Sequence, residues 1–118
     1  MIIENPFLKQ GLPKQQPQTS RDQLSLVTFR LEQNYPNPFN PETAISYHLP
    51  DACHVTLKIY NLLGQQIKTL VDHDAPAGSH TIRWDGKDEH GHNLASGIYL
   101  YRLEAGSYVA SKKLALVR

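Results

Sequence analysis

A chain of 118 residues, 40% of them hydrophobic and 19% charged, has room for one domain with a buried core and no room for two. Twelve Lys and Arg against eleven Asp and Glu leave a formal charge of +1, too weak a field to draw a polyanion, so composition excludes nucleic acid as an expected partner. The single cysteine excludes an internal disulfide, and no apolar run approaches the roughly 20 residues that span a bilayer as a helix.

Residues 1–25 read as a flexible Pro/Gln-rich linker or tail. The stretch from Lys9 to Gln23 is rich in Gln, Pro and Lys and has no strand or helix period. Ile2, Ile3, Phe7 and Leu8 form a small apolar patch within it. The N-terminus lacks the basic, long apolar and small-residue regions of a secretory signal, so none is expected in the chain as written. Residues 26–118 form the expected domain.

Leu26–Leu31 is predicted as the first strand. Asn34-Tyr-Pro-Asn-Pro-Phe-Asn-Pro41 follows, and its prolines exclude a helix or a central strand. It is expected as a rigid crossing held on the core by Tyr35 and Phe39. Thr43–Leu49 alternates with Ile45, Tyr47 and Leu49 on one face, and Val55, Leu57 and Ile59 alternate in the next strand. Asn61–Gly64 is a tight turn, Gln66–Val71 a further strand, and Ala75–Gly78 its close. Ser79–Trp84 puts His80, Ile82 and Trp84 on one side, which favours Trp84 as a core residue. Ile98–Glu104 puts Tyr99, Tyr101 and Leu103 on one face. Ala105-Gly106 turns the chain into a last strand, Tyr108–Val117. Short strands at this spacing without a helical stretch point to an all-β fold, an antiparallel β-sandwich of about seven strands.

Catalytic chemistry finds little support, and no enzyme is expected. Cys53 and His54 are strand neighbours and point to opposite faces, so they form no nucleophile and base pair. No nucleophile elbow, Walker loop or dinucleotide fingerprint occurs. His90 and His92 with Asp85, Asp88 and Glu89 could be weighed as a zinc or calcium site, but their spacing matches no dedicated motif. A hairpin connection whose acids serve its turns is the preferred reading of Asp85–Gly91. No cofactor is expected. Exposed aromatics could form a sugar platform, with Trp84, Tyr60, Tyr101 and Tyr108 as candidates. At the C-terminus, Lys112-Lys113 and the apolar end are either an ordinary last strand with solvent-facing lysines or a signal read by a partner, for instance by strand addition at an edge.

Five blocks carry a resemblance. They are Phe29 through Pro50, with Tyr-Pro-Asn-Pro-Phe-Asn-Pro at its centre; Val55 through Ile67; Pro76 through Gly86; Ala95 through Leu103; and Lys112 through Arg118. In this order they closely resemble the type A C-terminal sorting domain of the type IX (Por) secretion system. The central blocks also look like the Ig-like domain of the flagellar hook-capping protein. The resemblance implies an Ig-like sandwich at the C-terminus of a secreted Bacteroidetes-type protein. Such a domain directs its cargo across the outer membrane, through the periplasm, to the cell surface or the medium. The implied partners are type IX translocon components, a sortase-like surface protease and an N-terminal cargo. The implied recognition motif is Tyr35, Pro36, Asn37 and Pro38, with Gly97 and Tyr99, and Lys112, Lys113, Leu114, Leu116, Val117 and Arg118. Cleavage is expected just upstream of Phe29. The alternative is an Ig-like accessory module that binds carbohydrate or a protein partner.

Overall fold

The computed structural model describes residues 28–118. The expected tail 1–25, its apolar patch, Leu26, Val27 and the cleavage region before Thr28 lie outside the described residues. Seven strands and no helix occur among those described: β1 (Arg30–Leu31), β2 (Thr43–Leu49), β3 (Cys53–Tyr60), β4 (Gln66–Ala75), β5 (Gly78–Trp84), β6 (Gly97–Ala105) and β7 (Tyr108–Leu116). They form two antiparallel sheets, β1-β2-β5 and β4-β3-β6-β7. The expected seven-stranded Ig-like sandwich is what the chain builds.

The core follows from strand alternation. Ile45, Tyr47 and Leu49 from one sheet meet Val55, Leu57, Ile59, Tyr101 and Leu103 from the other, all buried. Side chains on alternate positions share a face, so each strand contributes one apolar row to the space between the sheets. Trp84 is 1% exposed and stands edge-on to Tyr99 and tilted against Phe39. Its indole N–H donates to the Lys87 carbonyl at 3.0 Å, which satisfies the one polar group this large ring buries.

β5 begins one residue earlier than the sequence reading, at Gly78, and β6 is one residue longer at each end; three further boundaries differ. Of the expected first strand, only Arg30–Leu31 pairs with β2 among the described residues, and Phe29 instead stacks on Tyr108 with centroids 5.0 Å apart. β4 runs on past Val71 to Ala75. Asp72, His73 and Asp74 look like turn residues, but an edge strand tolerates charge on its open side. His54 on β3 bonds to both Asp72 and Asp74 at 2.8 Å, which is the cross-strand pairing that recruits them. At the other end, β7 stops at Leu116, one residue earlier than expected.

These two carboxylates raise the His54 pKa above its ordinary value, Asp74 contributing first and Asp72 next. A raised folded-state pKa stabilises the fold fully below the unfolded value of about 6.5. That contribution is lost as pH rises through the folded pKa. An NMR titration of His54 is therefore expected to give a midpoint above the ordinary histidine value, moving back down in Asp74→Asn.

Candidate functional site

The sequence between Gln33 and Phe39 forms a strap that crosses from the three-stranded sheet to the edge of β7. Asn34 sits at its base, 2% exposed. Its amide group donates to the Pro36 carbonyl at 3.1 Å and to the Thr43 hydroxyl at 3.0 Å. The Thr43 hydroxyl donates to the same carbonyl at 2.9 Å. Three polar side-chain and backbone groups thus satisfy one another where unpaired ones would be costly. Prolines 36 and 38 contribute fixed φ and leave no N–H to satisfy.

Tyr101 pins this base from below. Its hydroxyl donates to the Glu32 carbonyl at 2.7 Å and accepts from the Asn34 N–H at 2.9 Å. Burial pushes the phenol up to about 12, so it stays a donor throughout the working pH range. Tyr101→Phe leaves a buried N–H and a carbonyl without their partner. We expect it to cost about 1–3 kcal/mol, measurable as a lower urea midpoint with an unchanged slope.

Beyond its base the strap lies along the end of β7. The Gln33 amide donates to the Lys113 carbonyl at 2.8 Å. The Ala115 N–H donates to Asn37 Oδ1 at 2.9 Å, across 78 residues of sequence. Phe39 donates to the Ala115 carbonyl at 2.9 Å and accepts from Val117 at 3.0 Å, a parallel bridge centred on Leu116. On the other side of β7, Gly97 pairs with Leu116 and Tyr99 with Leu114. The Tyr99 hydroxyl closes the loop before β6 by donating to the Ala95 carbonyl at 2.8 Å.

Arg118 locks the end of the chain. Its N–H donates to Ser96 Oγ at 2.8 Å, and its guanidinium to the carbonyls of Leu94 at 2.6 Å and Gly86 at 2.7 Å. Gly86 has φ +73, and a Cβ there would meet the Pro41 carbonyl at 3.3 Å. Glycine is what lets the β5–β6 loop, the segment leading into β2 and the C-terminus approach so closely.

The three segments of the sequence-predicted recognition motif therefore form one composite edge. Within it the residues divide. Tyr99, Leu114 and Leu116 are buried and act in packing. Pro36, Asn37, Pro38, Gly97, Lys113, Val117 and Arg118 are exposed. Lys112 and Lys113 were both expected toward solvent, but consecutive strand residues face opposite ways; Lys112 falls on the inner row and is half-buried. Tyr35 corrects a second expectation. It does not anchor the strap, being 81% exposed. Its backbone is held by a pair of bonds to Ala44, both at 2.9 Å, and Asn34 and Phe39 take the buried positions on either side. Asn34 is the site residue that sequence reasoning missed; an asparagine two residues before a proline was the available signal.

The other candidate chemistry resolves as local structure. Asp88 Oδ1 accepts the N–H groups of His90 and His92, each at 2.9 Å. The His92 N–H bond is the leading cause of the lowered Asp88 pKa. Asp85 accepts from the Lys87 N–H at 3.1 Å, and Glu89 from the Thr69 N–H at 3.2 Å. The loop acids are spent on backbone, and among the described residues no group of three His, Cys, Asp or Glu is placed to hold a metal ion. Of the four aromatics considered for a sugar platform, Trp84 and Tyr101 are buried, and Tyr108 lies under Phe29. Cys53 is half-buried against the core, on the opposite face from exposed His54.

The family model described as the FlgD Ig-like domain matches residues 38–108. The chain belongs to the FlgD Ig-like domain family. The match runs from the strap's last residues to the start of β7, so it covers β2 to β6 and leaves β1 and nearly all of β7 outside. A search of curated proteins finds no relative. Solved structures similar to this Ig-like domain include dimeric latent PorU from Porphyromonas gingivalis, at TM-score 0.61 and 19% identity over 76% of this chain and 9% of that one. PorZ of the same organism, described as an essential surface component of its type-IX secretion system, aligns at TM-score 0.51 and 17% identity over 84% of this chain and 13% of that one. FlgD from P. aeruginosa aligns at TM-score 0.51 and 19% identity over 75% of this chain and 73% of that one. At these identities the likeness is one of fold. The Ig-like domain spans only a small part of PorU and of PorZ.

Proposed function

We propose that this Ig-like domain is a non-catalytic C-terminal sorting domain of the type IX secretion system. It directs an N-terminal cargo across the outer membrane to the surface or the medium, and a sortase-like surface protease removes it. The observation that carries this reading is the composite edge. Tyr35–Pro38, Gly97 with Tyr99, and Lys112–Arg118 are the segments the sequence resemblance names, and Asn37 and Ala115 bond across 78 residues to join the first to the last. An address of this kind needs a rigid, exposed shape and no reacting group. The fold shared with a surface component of a type-IX system agrees with it.

The reading is tested by placing the full chain behind a signal peptide and a fluorescent reporter. The fusion is expressed in a host with a working type IX system and in a translocon-null strain. Reporter on the surface or in the medium of the first strain alone is expected. Reporter held in the periplasm of both strains contradicts it and favours an accessory binding module.

A further inference from the structure

The edge of β7 has two halves that differ in their partners. Toward β6 the strand pairs without a register break from Tyr108 to Leu116. Away from β6, the bonds from Lys113, Ala115 and Val117 to the strap identify the odd-numbered residues as the ones whose backbone groups face outward. That direction repeats every second residue. The N–H and C=O groups of Val109 and Ser111, and the N–H of Lys113, therefore face outward too. None of the described residues bonds to them.

The opposite edge of the same sheet is blunted. β4 breaks register twice against β3, and Glu89 bonds to both the Ile67 carbonyl and the Thr69 N–H. Bulges and covering loops are the usual protection of an edge. The first half of β7 has no bulge and no proline, and the strap begins only at the Lys113 carbonyl.

On the reading that this is a sorting domain, we infer that Val109–Lys113 takes an extended peptide segment of the sorting machinery as an added strand. The side chains beside this edge specify its chemistry. Val109 is 51% exposed and offers an apolar contact. Arg102 and Glu104, the β6 partners of Ser111 and Val109, already pair with each other at 3.1 Å. Lys113 is exposed and forms no ion pair with any described residue. The incoming strand thus places a carboxylate opposite Lys113 and, four residues away on the same face, an aliphatic side chain opposite Val109. A second copy fits less well. Paired antiparallel about Ser111, it would set Lys113 against Val109 and leave the ammonium without a carboxylate.

The test uses the reporter fusion of the full chain with Ser111→Pro and, separately, Lys113→Glu. Proline at 111 removes an outward N–H and is tolerated on an edge strand. Both variants are expected to melt within about 5 °C of the wild type and to lose roughly tenfold or more in secretion, as loss of a central contact does. Folded Ser111→Pro secreted like the wild type overturns the inference and leaves the sorting role intact. Should Ser111→Pro fail to fold, Lys113→Glu decides alone, and undiminished secretion of that variant overturns the inference. A wild-type fusion that is not secreted removes the sorting reading and this inference with it. A purified wild-type chain that dimerises, with the dimer abolished by Ser111→Pro, reassigns the edge to a second copy and overturns the peptide partner.

Discussion

Removal of Lys112–Arg118 is expected to unfold the domain rather than to erase a detachable signal. Leu114 and Leu116, each 1% exposed, belong to the core. Deleting a buried leucine side chain typically costs about 2–5 kcal/mol, and both go. The same deletion removes the groups that hold Asn37 and Phe39 and the three bonds of Arg118 to the β5–β6 loop. Together these losses approach or exceed the roughly 5–15 kcal/mol that stabilises a whole domain. Circular dichroism of the truncated chain should show no cooperative thermal transition. A truncated domain that melted cooperatively near the wild-type temperature would mean that the C-terminal segment lies on the sandwich without supporting it. The consequence for secretion experiments is direct. A terminal deletion that blocks export cannot separate address from fold, whereas exposed point variants such as Lys113→Glu can.

Trp84→Ala is expected to be the most damaging single substitution. The ring fills the space between Phe39 of the strap and Tyr99 of β6, so its loss opens a cavity under the composite edge. A buried tryptophan cut to alanine costs about 3–5 kcal/mol, which lowers the melting temperature of a domain this size by roughly 15–30 °C. The Lys87 carbonyl also loses its donor. Differential scanning calorimetry checks the magnitude. A drop of only a few degrees would show that strap and loop collapse into the space at little cost.

Alternation makes most of the sandwich legible in the sequence. Ile45, Leu57, Leu103 and Trp84 each fall on the apolar row of an alternating strand, and that row is the one that faces the core. The misreadings share a cause. Asp72–Asp74 look like a turn until His54 supplies their cross-strand partner, and Tyr35 looks like an anchor until Asn34 is found bonded inside. Both depend on contacts between residues distant in sequence, which periodicity does not encode. The composite edge is the same kind of feature. Its three segments could be named from resemblance, but only the fold brings Asn37 beside Ala115 and Arg118 beside Gly86. The strand order that leaves half of β7 open is likewise a property of topology.

A C-terminal segment folded as an edge and closed by the strap is expected to protect the amides of Ala115 and Val117 from hydrogen exchange. Both amides lie within four residues of the chain's end, where an edge strand without a partner exchanges freely. Their bonds to Asn37 and Phe39 predict slowing of about 100-fold or more relative to an unstructured peptide, while the outward amides of Val109 and Ser111 exchange fast. Exchange of Ala115 and Val117 at the unstructured rate would mean that the strap does not close this edge.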